Sequence, residues 1–153
     1  MERREDSRRE IHVAPDRFEV TAEDAILTTE LRSAVAVCVY DAAEEAGALL
    51  HLRCIVKPSK PADVTDTTLA TELLLLDRCL VALREAAPGA RNLQGRIVAH
   101  LAEGAQVVCE TVVGVVRHYL TDAGVQVGAD DIAAGPVRTL RFRPGMGWVH
   151  TRT

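Results

Sequence analysis

Aromatic side chains are almost missing from this chain: two Phe, two Tyr and one Trp among 153 residues. A packed interior must therefore be built from Val, Leu, Ile and Ala, and a hydrophobic content of 48% supplies enough of them for one ordinary core. Lysine is scarcer still, since Lys57 and Lys60 are the two in the chain and both fall in Lys57-Pro58-Ser59-Lys60-Pro61. Neither sign of charge dominates: 18 basic residues face 22 acidic ones, a formal net charge of -4. That balance excludes a general attraction to nucleic acid or anionic lipid. No apolar run approaches the roughly 18 residues of a membrane span, and the start lacks the apolar segment of a signal peptide. The expectation is a cytoplasmic protein without membrane insertion. Cys38, Cys54, Cys79 and Cys109 include no close pair, which argues against a disulfide framework or a zinc site. Each is expected to act as a small buried hydrophobe.

What is present reads as one domain. Residues 1–10 carry four arginines and four acids and are expected to be a flexible, solvated end. Residues 11–153 are expected to form a single unit. Ile11 to Val20 alternates well enough for a short strand, or a hairpin broken at Ala14-Pro15-Asp16. Ala34 to Tyr40 is nearly all apolar and ends in Asp41, as a central strand would. Ala42 to Gly47 turns the chain, Ala48 to Val56 returns as a neighbouring strand, and the Lys57–Pro61 loop stops it. Leucines at 69, 73, 76, 80 and 83 mark a helix over Asp63–Ala87, capped by Thr65 or Asp66 and ended by Pro88-Gly89. Leu93–Leu101 predicts a strand, Glu103-Gly104 a turn, and Thr111–Ala123 a second helix ended by Gly124. Val125–Val127, Val137–Phe142 and Trp148–His150 complete the strands, the last two joined through Pro144-Gly145-Met146-Gly147. Two helices among several strands place the chain in the α+β class.

One stretch carries a more specific signal. Thr28-Thr29-Glu30-Leu31-Arg32-Ser33-Ala34-Val35-Ala36-Val37-Cys38-Val39-Tyr40-Asp41, followed by His51, resembles the nucleophile segment of the CheD chemoreceptor glutamine deamidases, T-x-G-L-G-S-C-V-A-V-x-x-Y-D and then G-G-x-x-H. Asp131, Arg138, Phe142, Pro144 and Gly147 similarly resemble the family's D-x-G-G-x-x-x-R-x-x-x-F-x-P-x-T-G. The likeness runs from about Ile11 to Val149. It implies a CheD-like mixed β-sheet or sandwich core with two main packed helices. Thr28 and His51 match catalytic positions, while Ala34 stands where the family has its nucleophilic cysteine. Further departures cluster nearby: Glu30 and Arg32 replace glycines before that position. Ala48 replaces a glycine before the histidine, Ala133 and Ala134 replace paired glycines, and His100 replaces a glycine near the groove.

Deamidation of a glutamine side chain needs a thiolate to attack the carboxamide carbon, a histidine to move the proton to departing ammonia, and water to cleave the thioester. A methyl group at residue 34 cannot do the first step. Cys38, four residues further along the strand, is expected roughly 13 Å from the lost nucleophile. Cys54 is expected on the opposite face from His51. A metal held by His51 and His100 lacks carboxylate support at fixed spacing, so neither metal nor cofactor is expected. His12, His118 and His150 need only solvated or structural roles, and Arg138 with Asp131 forms an expected internal ion pair. The resemblance implies an inactive CheD-like protein that binds a methyl-accepting chemotaxis receptor or a CheC-like phosphatase. The alternatives are an active protein-glutamine deamidase with a rearranged site, and a structural or interaction protein outside chemotaxis.

Overall fold

The structure, a computed structural model, describes residues 9–54 and 69–153. Its organising element is Ala34–Asp41 (β4, with β1 Glu10–His12, β2 Arg17–Thr21 and β3 Ile26–Leu31 before it). Apolar side chains at nearly every position leave β4 no face for solvent, so both must be covered. Val35, Val37 and Val39 point into a core shared with the helices, whereas Ala34, Ala36 and Cys38 point into a second core between two sheets. Burial of each valine stabilises by about 1.5–3 kcal/mol.

The remaining elements build three layers around that strand. Ala46–Arg53 (β5), Gln94–Leu101 (β6), Gln126–Val127 (β7) and Asp131–Ala134 (β8) join β2 and β4 in a mixed sheet of order β2-β5-β4-β6-β7, with β8 also pairing β6. Arg138–Arg143 (β9) and Trp148–Arg152 (β10) join β1 and β3 in a four-stranded sheet of order β1-β3-β9-β10. Helices Leu69–Ala86 (α1) and Gln106–Asp122 (α2) cover the other face of the larger sheet. Leu76, Cys79, Leu80 and Leu83 form the buried stripe of α1, and Cys109, Val112, Val113, Val116 and Leu120 that of α2. The α+β class is therefore observed, with two helices and ten strands among the described residues.

The departures have local causes. Ile11–Val20 is neither one strand nor a hairpin: β1 pairs parallel with β3, while β2 pairs antiparallel with β5 in the other sheet. Proline and a left-handed Asp16 (φ 60°) carry the chain between layers. Residue 10, expected in the flexible end, already pairs in β1. Helix α2 starts at Gln106 rather than Thr111 because Cys109 extends its buried stripe by one turn. Strands β3 and β8 were not anticipated. The Lys57–Pro61 loop, the helix start at residues 63–68 and the caps Thr65 and Asp66 lie outside the described residues.

Candidate functional site

The segment singled out by sequence spans β3, β4 and β5, at the seam between the two sheets. Chain reversal between β3 and β4 takes only Arg32 and Ser33, and Ser33 adopts a left-handed conformation (φ 52°). A non-glycine residue held there costs about 1–2 kcal/mol, and its polar groups are correspondingly tied down. The Ser33 N–H donates to His100 Nδ1 (2.9 Å), its carbonyl accepts from the Cys54 N–H (2.9 Å), and its hydroxyl donates to the Cys54 carbonyl (3.3 Å). Ala34 follows directly, fully buried, with Arg53 and His100 as its cross-strand partners.

His51 is 2% exposed and lies on the inter-sheet side. Thr29 Oγ1 donates to the Val13 carbonyl (2.8 Å), so at His51 Nδ1, 2.7 Å away, it must accept. The ring proton therefore sits on Nδ1 and the lone pair on Nε2, the arrangement a general base needs. Burial, aided by the Arg53 and His12 charges and opposed by Asp16, pushes the imidazole pKa below its ordinary value. It is thus neutral at neutral pH.

The hydroxyl in this dyad belongs to Thr29, not Thr28. Strand alternation sends Leu27, Thr29 and Leu31 into the inter-sheet core, whereas Thr28 lies on the other face of β3. There it falls in a register row with His12, Arg141 and, through β9, His150.

The register also moves the histidine along the seam. His51 is paired with Ala36, so Ala34 and Cys38 are both diagonal neighbours, roughly 7–8 Å away. Cys38 is therefore nearer the imidazole than its separation from residue 34 implies. Burial nevertheless pushes its thiol far above the ordinary range, only weakly opposed by Arg96. A protonated, inaccessible thiol is a poor nucleophile. Cys54 faces the helices, on the opposite side of the sheet from His51, as alternation requires.

His100 shares the inter-sheet side but stands across β4 from His51, about 12 Å away by two strand spacings and a two-residue offset. Its Nδ1 is taken by Ser33, and its Nε2–H donates to the Gly135 carbonyl (2.8 Å). Gly135 presents that carbonyl from φ +104°, a conformation reserved for glycine. Both ring nitrogens being engaged, His100 is a clamp between two turns. Among the described residues no cluster of three or more His, Cys, Asp or Glu is placed to hold a metal.

Two further groups frame the seam. Arg138, only 6% exposed, donates to Asp131 Oδ2 (2.9 Å), the Ala99 and Asp131 carbonyls (3.1 and 3.2 Å) and Thr151 Oγ1 (3.0 Å). The expected ion pair is present and joins β6, β8, β9 and β10. Arg53 and Asp16 form a second pair at the exposed end of β5 (2.6 Å), and the Asp16 N–H donates to the His51 carbonyl (2.8 Å). Neither Thr29 nor the His100 clamp was foreseen, although position 29, two residues beyond Leu27, was readable from strand alternation.

Chemically, the seam offers an imidazole that is neutral at neutral pH and, at residue 34, a buried methyl side chain. The backbone donor just before that methyl is occupied by an imidazole nitrogen. No protein-family model matches the chain, and no curated protein matches it. No helix among the described residues is long and apolar enough to cross a membrane.

Proposed function

We propose that the chain is a CheD-like protein of the cytoplasm that has lost deamidase chemistry and acts by binding a protein partner. The observation carrying this reading is Ala34 at the seam, flanked by His100 on the Ser33 N–H. An amide deamidase needs a thiolate at that point and a free donor beside it for the oxyanion; one such donor contributes about 3–4 kcal/mol. Here the first is absent and the second is engaged. The resemblance favours two partners: the cytoplasmic part of a methyl-accepting chemotaxis receptor, or a CheC-like phosphatase. Neither nucleic acid nor membrane insertion enters the reading, given the near balance of charge.

Titration of the purified chain against each partner tests it. Binding at micromolar concentration to one of them, together with no ammonia release from glutamine-containing receptor peptides, is the expected result. No binding to either would reject the role.

A second reading, amide hydrolysis at a rearranged site, is favoured by the Thr29–His51 dyad and by Cys38 one diagonal step from it. It requires that Cys38 lose its proton despite complete burial. Ammonia release abolished by both Cys38→Ser and His51→Gln would establish it, and no turnover in the unaltered chain would end it.

A further inference from the structure

Strand β10 forms one margin of the smaller sheet, and its outer edge is open. Among the described residues, no backbone group of Trp148–Arg152 has a hydrogen-bond partner outside β9. Edges of this kind are usually guarded by proline, lysine, a bulge or a very short strand. β10 has none of these guards: Trp148-Val149-His150-Thr151-Arg152 pairs one-to-one with β9 without a break. Its inner face is fixed, because Val149 packs against the inter-sheet core and Thr151 Oγ1 accepts from Arg138 (3.0 Å). Its outer face is exposed and carries the one tryptophan of the chain. Trp148 stacks on His150 with 5.4 Å between ring centroids and the planes 5° apart.

The order of those side chains is self-complementary. An antiparallel two-fold axis through His150 matches residue 148 with 152, 149 with 151, and 150 with itself. Every position of β10 is then paired, and the outward backbone groups find partners in either phase of the alternation. Opposed residues share a face, so each Trp148 meets the partner's Arg152. That arginine is available: Arg138, Arg141 and Arg143 of β9 are held by Asp131, Glu10 and Asp24, whereas Arg152 has no ion-pair partner among the described residues. A guanidinium laid over an indole is a favourable cation–π pair, and the axis makes it twice. The margin of equal length in the larger sheet, β2, is built the other way. A two-fold axis through its centre sets two Glu19 carboxylates face to face. β1, β7 and β8 offer only three, two and four residues.

We propose that a second copy of this chain covers β10: two molecules pair edge to edge about His150, and their four-stranded sheets merge into one continuous sheet. Association stops at two, because the pairing uses the same edge of both copies. The contact is small for a specific interface, so its strength is expected in the micromolar range or weaker. This inference stands apart from the CheD-like reading, since it rests on β10 and not on the seam around Ala34.

Sedimentation equilibrium of the full chain over a micromolar-to-millimolar series tests it, and a reversible monomer–dimer equilibrium is expected. His150→Lys brings two ammonium groups together at the axis, and Arg152→Glu removes both cation–π pairs. Each should weaken the dimer at least about fivefold. Both side chains are exposed, so the circular dichroism spectrum of the folded chain should be retained. His150→Cys should cross-link into a covalent dimer under mild oxidation well before Glu19→Cys, an equally exposed position on β2. A monomer at every concentration would overturn the proposal, as would assembly beyond two copies. So would a dimer indifferent to both charge variants, or equal cross-linking from positions 19 and 150. If a charge variant does not fold, the unaltered chain and the cross-linking pair decide.

Discussion

Thr28 and Thr29 are adjacent in sequence and opposite in consequence. Thr29→Val removes the acceptor for His51 Nδ1 and leaves the Val13 carbonyl without its donor. A loss of about 1–3 kcal/mol in denaturant unfolding is expected, with a change of His51 tautomer in nitrogen NMR shifts. Thr28→Val, on the other face of β3, should stay within about 0.5 kcal/mol. Glu72 offers a pH signature. Burial, with some help from Asp16, raises its carboxyl pKa from 4.5 to about 7 despite the Arg53 charge. Between those values the folded chain holds a proton that the unfolded chain has released, so stability falls as pH rises from 4.5 to about 7 and is flat above. His51, its pKa held down by burial, works oppositely, losing stability as pH falls below its unfolded value. Glu72→Gln isolates the first effect: its stability gain over the unaltered chain should be absent near pH 4 and reach about 1–3 kcal/mol at pH 8 in urea melts. Residue-scale chemistry was only partly legible in the sequence. His51 and Ala34 were singled out by a family resemblance, whereas Thr29, the hydrogen-bond partner of His51, depended on strand phase. The contact of the Cys109 thiol with the His100 carbonyl depended on tertiary packing that no local pattern encodes.

Elements report on the fold through the connections they share. Arg138→Met removes the buried partner of an ion pair and four donated hydrogen bonds. A loss of about 3 kcal/mol is expected, with amide exchange accelerating first in β8 and β10, the strands that it pins. Gly47 in β5 is constrained from outside the strand: a Cβ there would lie 2.6 Å from Pro144 Cβ and 2.9 Å from the Val39 carbonyl. Gly47→Ala should therefore destabilise by about 1–3 kcal/mol in thermal melts, although Gly→Ala is usually favourable in a strand. How far each element could be read follows from its burial. β4 was visible because both of its faces are covered, giving an unbroken apolar run. β3 was not, because Thr28, Thr29 and Glu30 interrupt its pattern and Thr29 is buried for its hydrogen bonds rather than its apolarity. β8 is a short Asp131-Ile132-Ala133-Ala134 segment whose identity as a strand comes from parallel pairing with β6, a contact remote in sequence. The early start of α2 was hidden because Val107 and Val108 favour strands.

For the whole molecule, the proposed absence of deamidase chemistry can be probed at residue 34. Ala34→Cys places a thiol at the seam but leaves the Ser33 N–H on His100 and the imidazole opposite Ala36. Ammonia release from receptor peptides should stay near background, whereas Ala34→Cys combined with His100→Gly should exceed it at least about tenfold, because a freed oxyanion donor is worth that and more. Equal, rapid turnover by the single variant would show that the His100 clamp is no obstacle. The layered arrangement has a temporal side as well. β3 hydrogen-bonds to β9 across more than a hundred intervening positions, and β10 attaches only through β9. During synthesis the helix-covered layer can assemble while Leu27, Leu31 and Ala36 still await Leu140 and Phe142. The smaller sheet must therefore close last, after residues 138–152 have cleared the ribosome, and until then its inner strand is a sticky template for chaperones or for a neighbouring nascent chain.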